Sequence, residues 1–83
     1  MNPTIANPYD STAALIAELR TAGLQQHADE LQLALDTGSS GTRIFMALRW
    51  QLEEMQKHEL PESVREQTRF LGAYFSKALE MDT

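Results

Sequence analysis

Cysteine is absent from this 83-residue chain, which excludes disulfide staples, CxxC redox chemistry, iron–sulfur ligation and thiolate zinc sites. The core must come from apolar burial, within the chain or shared with a second one. Aromatic residues are few, with one Trp, two Tyr and three Phe. No apolar run approaches the ~18 residues of a membrane span. The segment Met1 to Pro8 carries neither the basic region nor the apolar stretch of a secretion signal. The expectation is a cytoplasmic protein without membrane contact. Positive charge is also scarce: 7 Lys+Arg stand against 12 Asp+Glu, a net charge of −5. Direct nucleic-acid binding, which needs cations to displace phosphate counterions, is disfavoured, and a basic partner is tolerated.

What is present reads as helix throughout, with no strand-like alternation and no repeat at a fixed period. Two of the three prolines fall in residues 1–8, an expected loose arm preceding one helical domain over 9–83. Asn7 is positioned to cap a first helix with Pro8 at its first position and Asp10 near its positive end; Asp10 or Ser11 are alternative caps. Thr12, Leu15, Ile16, Leu19 and Ala22 then recur at three and four residues. Gly23 stops this helix, and Leu24 just beyond is spaced to meet Leu19. Leu24, Ala28, Leu31 and Leu35 form the seam of a second helix ending near Asp36, before a loop at Gly38 to Gly41.

Ser40 or Thr42 can cap a third helix, whose Ile44, Phe45, Leu48, Leu52 and Met55 share one arc. Leu60-Pro61-Glu62 ends it and begins a fourth, running to about Glu80. There Val64, Leu71, Phe75, Ala78 and Leu79 line one side, and Phe70, Tyr74 and Met81 widen the stripe. The sum is an all-α, compact four-helix domain with short connections. Two topologies fit: antiparallel neighbours, or a hairpin of the first two helices crossing the last two more steeply.

The chemistry-bearing patterns are sparse. His27 and Glu30 form an H-x-x-E pair that can supply two metal ligands, but the only other histidine is His58, expected near the end of the third helix. Two ligands do not make a zinc site, so the pair reads as a surface histidine beside an acid, and no metal or cofactor is implied. Gly38 to Arg43 places small residues before a helix N-terminus, where anions are attracted. It lacks Gly-Lys-Ser/Thr and follows a helix, so it reads as a stop, a turn and a cap. No histidine stands near Ser39 or Ser40 in sequence to support nucleophilic catalysis, and the chain is not expected to be an enzyme.

The oddity is Met46 with Trp50, four apart and opposite the Leu48/Leu52 arc, flanked by Arg43, Ala47 and Glu54. One account makes the third helix central and packs Trp50 on a second side. The other leaves Trp50 exposed, with the composition of a binding hot spot: a rigid anchor, an adaptable thioether and a polar rim. Phe70 and Tyr74 pose the same question. Acids at Glu53-Glu54, Glu59, Glu62 and Glu66 can steer a cationic partner.

The run Gly38-Ser39-Ser40-Gly41-Thr42-Arg43-Ile44-Phe45-Met46-Ala47-Leu48-Arg49-Trp50 resembles small, all-helical bacterial proteins of the immunity type, through a G-S-x-G-T turn entering an I-x-M-x-L-R helix. The resemblance covers mainly residues 38–52. It implies a protein that binds one toxin domain and blocks its active site, and by position it implicates Thr42, Arg43, Met46, Arg49 and Trp50. In that pattern an acid often follows the G-T pair, where this chain has Arg43, which bears on the identity of the partner. The expected partner-binding set is Arg43, Met46, Arg49, Trp50, Glu53, Glu54, Phe70 and Tyr74, in a monomer or homodimer. The alternative function is a self-associating structural or regulatory adaptor using the face of the third and fourth helices.

Overall fold

A computed structural model describes residues 7–37 and 40–81. Residues 1–6 of the expected arm, Gly38 and Ser39 of the expected loop, and the Met81 side chain lie outside the described residues. Four helices make up the rest: α1 (Pro8–Thr21), α2 (Gln25–Thr37), α3 (Gly41–Met55) and α4 (Glu62–Met81).

The first cap is the expected one. The Asn7 side-chain oxygen accepts from the backbone amides of Tyr9 at 3.0 Å and Asp10 at 3.3 Å, satisfying two donors that α1 cannot pair internally. Pro8 is the first residue of α1, as the capping pattern expects, so the arm bound at residue 8 overlaps the helix by one residue; its fixed φ and missing N–H suit a helix start. At the other end Gly23 adopts φ +79°. Its amide donates to the Arg20 carbonyl and the Leu24 amide to the Leu19 carbonyl at 2.8 Å. This double closure terminates the helix and reverses the chain into α2. Ala22, counted above in the apolar stripe, is exposed; it is the C-cap residue, at the very end of α1.

Helix α3 is capped by Ser40, whose hydroxyl accepts from the Arg43 amide. It ends at Met55, earlier than the Leu60-Pro61 boundary expected from the proline, and His58 lies beyond it in a turn. The reason is burial. Continued at ~100° per residue, a helix would carry Leu60 ~120° away from Leu48, outside the core arc. Unwinding after Met55 lets Leu60 turn inward, where it is 6% exposed. Helix α4 then starts on the Pro61 carbonyl, which accepts from the Arg65 amide at 2.8 Å.

Each helix packs on its neighbours in sequence, and α1 closes the ring on α4. Late α1 meets early α4 through Glu18, whose carboxylate accepts from the Ser63 hydroxyl at 2.9 Å and from the Gln67 amide. Mid-α2 meets late α3 through Glu30 and Gln51. These contacts join the end of α1 to the start of α4 and the middle of α2 to the end of α3. Leu15, Leu19, Leu31, Leu48, Leu52, Met55, Val64 and Phe75 fill the centre. Two buried threonines join them, Thr12 and Thr68. Each donates its hydroxyl to the carbonyl four residues back, Pro8 and Val64, at 2.7 Å, which removes the cost of burying an unpaired polar group. At one end Tyr9, Phe45, Tyr74 and Phe75 form an aromatic cluster, with Phe45 and Phe75 centroids 4.8 Å apart, edge to face.

Candidate protein-binding surface

A helix in such a ring turns one quadrant to the core, two flanks to its neighbours and the remaining face outward. On α3 the core quadrant is Leu48, Leu52 and Met55. One flank meets α2 through Gln51, and the other meets α4 through Phe45 and through Leu52, whose Cβ lies against Gly72. Met46 and Trp50 fall ~160° to either side of Leu48. Helix α3 does sit between two neighbours, but they do not cover Trp50 as the first account expects, and the second account, with Trp50 exposed, is the one observed. Packing on α2 and α4 leaves Trp50 60% and Met46 51% exposed.

The expected partner-binding residues do not form one surface. Arg43, Trp50 and Glu54 share the outer side of α3 toward α2, and Met46 lies one turn from Trp50 on the outer side toward α4. Arg43 and Glu53 are exposed, and Glu54 is half-buried and paired with the Lys57 ammonium at 2.8 Å. Arg49 and Glu53 turn toward the α4 side. Arg49 is half-buried, and its Nε is buried without a hydrogen-bond partner. Phe70 is 46% exposed but borders a groove between α1 and α4, lined with Ser11, Ala14, Glu66 and Gln67, across the ring from Trp50. Tyr74 is half-buried in the aromatic cluster, edge-on to Phe75 at 5.4 Å, so most of its contact is with the protein's own interior.

What sequence reasoning missed lies in the groove between α2 and α3. The antiparallel pairing of these helices brings His27, at the start of α2, against His58, just past the end of α3, with ring centroids 5.1 Å apart and planes at 58°. Glu30 sits one turn along from His27. Its Oε1 accepts from the Gln26 amide at 3.2 Å and its Oε2 from the Gln51 amide at 2.8 Å. These two hydrogen bonds, then the nearby imidazoles of His27 and His58, hold its carboxyl below the usual glutamate range. Gln51 is 7% exposed, so the carboxylate is fastened from the core side. Trp50 and Glu54 complete a cavity of about 270 Å³ with these residues. The Nδ1 of His27 is buried and without a partner. Among the described residues no group of three His, Cys, Asp or Glu is placed to hold a metal ion. The signal that could have found the cluster was topological: short loops imply antiparallel neighbours, which put residues 27 and 58 at the same end.

Leu33, one turn beyond Glu30 on α2, is 63% exposed. Among the described residues no helix is long and apolar enough to cross a membrane. Comparison with protein-family models, with curated proteins and with solved structures finds no match for this chain.

Proposed function

We propose that the chain is a non-enzymatic, cytoplasmic protein-binding module of the bacterial immunity type, which neutralises a toxin domain by covering its active site. The observation that carries this reading is Trp50, a large aromatic 60% exposed on a helix whose opposite face is the core. Met46 at one helical turn widens it, and Arg43 and Glu54 on the same helix supply charge at its edge. Exposed apolar groups rimmed by charge are the composition of a binding hot spot. The charge of −5 suits a cationic target surface and raises the rate of encounter. If the target is a nuclease, the acids stand where its phosphate substrate binds.

The test is co-expression with a toxic domain encoded by an adjacent reading frame in the source genome. The wild-type chain restores growth. Trp50→Ala weakens the complex by ~2 kcal/mol or more, read by calorimetry, while the helical spectrum is retained; undiminished affinity removes Trp50 as the anchor. The second reading, a self-associating adaptor joined through a common α3/α4 face, has less support, since Trp50 and Phe70 border different grooves. A homodimer that shields Trp50 in sedimentation equilibrium and fluorescence would favour it.

A further inference from the structure

We propose, resting on the reading of the chain as a protein-binding module, that the cavity between α2 and α3 is the seat of one arginine side chain of the partner, its guanidinium paired with Glu30 and laid on the indole of Trp50. The cavity, about 270 Å³, falls just under the ~300–1,000 Å³ of sites that enclose drug-sized ligands. It suits one long side chain entering from solvent better than a whole small molecule.

Three features select the chemistry of that side chain. First, Glu30 is oriented and faces the His27 and His58 imidazoles across the cavity, but it has no ion pair with a lysine or arginine among the described residues. Both its hydrogen-bond donors are the uncharged amides of Gln26 and Gln51, and the ion pairs among the described residues are Arg20 with Asp29 and Lys57 with Glu54. A carboxylate offers about four lone-pair positions, of which these amides use two. The remaining pair accepts two parallel N–H groups, the geometry of a guanidinium fork. Second, Trp50 lines the same cavity and is 60% exposed, and an aromatic face attracts a cation, arginine more often than lysine because its planar group stacks. Third, Glu54 on the rim adds negative charge that Lys57 only partly occupies from the exposed side. The nearly buried Gln51 fixes Glu30 before the guest arrives, so little ordering remains to be done on binding.

The probe is N-acetyl-arginine methylamide, titrated into the full chain at neutral pH while the Trp50 indole N–H and the Gln51 side-chain amide are followed by NMR. The chain has one tryptophan, so the indole signal is unambiguous. Saturable shifts of both signals are expected. The citrulline analogue, of the same shape but uncharged, is expected to bind at least ~tenfold more weakly, the loss of a hydrogen bond to a charged group, and the lysine analogue to fall between them. Glu30→Gln and Trp50→Leu should each weaken the arginine probe several-fold. Both positions are exposed, and circular dichroism checks that each variant folds. No saturable shift at the solubility limit, citrulline binding as well as arginine, or unchanged affinity in both variants overturns the proposal. Its failure is separable from that of the functional reading. Arginine binding with neutralisation insensitive to Trp50→Ala keeps the seat and removes Trp50 from toxin recognition. Neutralisation lost in Trp50→Ala without arginine binding does the reverse.

Discussion

Two aromatic truncations should separate what folds the chain from what it leaves free. Phe75 is fully buried and ringed by Phe45 and Tyr74; Phe75→Ala removes a ring from a close-packed centre and costs ~3–5 kcal/mol. A single core in a chain of this size supplies about that much in total, so Phe75→Ala is expected to be largely unfolded at 25 °C. Trp50 is different. With 60% of its surface exposed, two-fifths of a side chain that buries up to ~250 Å² amounts to ~100 Å², or at most ~2.5 kcal/mol. A compact denatured state and the methyl of alanine reduce that figure, and the better helix propensity of alanine returns ~0.5 kcal/mol. Trp50→Ala should therefore cost ~1 kcal/mol and lower the urea midpoint by ~1 M or less at an m-value of ~1 kcal/mol/M. The assay is urea unfolding followed by far-ultraviolet circular dichroism, since fluorescence would lose its only indole. A Trp50→Ala chain as unstable as Phe75→Ala would refute the assignment of Trp50 to the outer surface.

Other expectations follow from local geometry. At Gly23, with φ +79° and nothing within 4 Å of an added Cβ, alanine should cost ~1 kcal/mol by backbone conformation alone, as ~1–2 kcal/mol of strain is offset by reduced denatured-state freedom. Gly72→Ala meets only the flexible Gln56 amide at 3.3 Å and Leu52 Cβ at 3.8 Å. It gains up to ~1 kcal/mol of helix propensity, so equal losses at the two glycines in thermal melts would contradict the assignment. Asn7→Ala leaves the Tyr9 and Asp10 amides without their acceptor and should cost ~1 kcal/mol, with amide exchange faster in the first turn of α1. The Glu30 carboxyl is lowered from 4.5 by Gln26, Gln51 and the two imidazoles. Its contribution is therefore present above the unfolded value and lost as the pH falls through the lower folded one. Urea midpoints of wild type and Glu30→Gln should converge in acid; parallel curves throughout would count against this.

Much of the fold could be read from residue spacing because its determinants are local. Gly23 had to be a stop, since the apolar spacing breaks there and resumes at Leu24, and Asn7-Pro8 is a helix start by side-chain and ring chemistry alone. Where the reading failed, the deciding interaction came from elsewhere in the chain. Met55 ends α3 because Leu60 is drawn into a core built by all four helices, which no proline rule encodes. Thr68, which the apolar spacing does not single out, is buried with its hydroxyl donated one turn back to the Val64 carbonyl. The site divides in the same way. Exposure of Met46 and Trp50 follows from helical angle, and the sequence left only the number of neighbours of α3 open. The meeting of His27, Glu30, Gln51 and His58 depends on the pairing of α2 with α3 across 21 and more residues. Phe70, which looked similar to Trp50 in its stripe, parts from it because α4 is shared between α1 and α3.

The most direct test uses Trp50 as its own reporter: quenching of its fluorescence by iodide, measured across a range of protein concentrations and again with the proposed partner domain added. The expected result for the free protein is partial quenching, between that of the urea-unfolded chain and that of a buried indole and the same at every concentration, since Trp50 is 60% exposed, then a blue shift and strong protection in the complex. Emission already blue-shifted and shielded from iodide in the dilute free chain would contradict it.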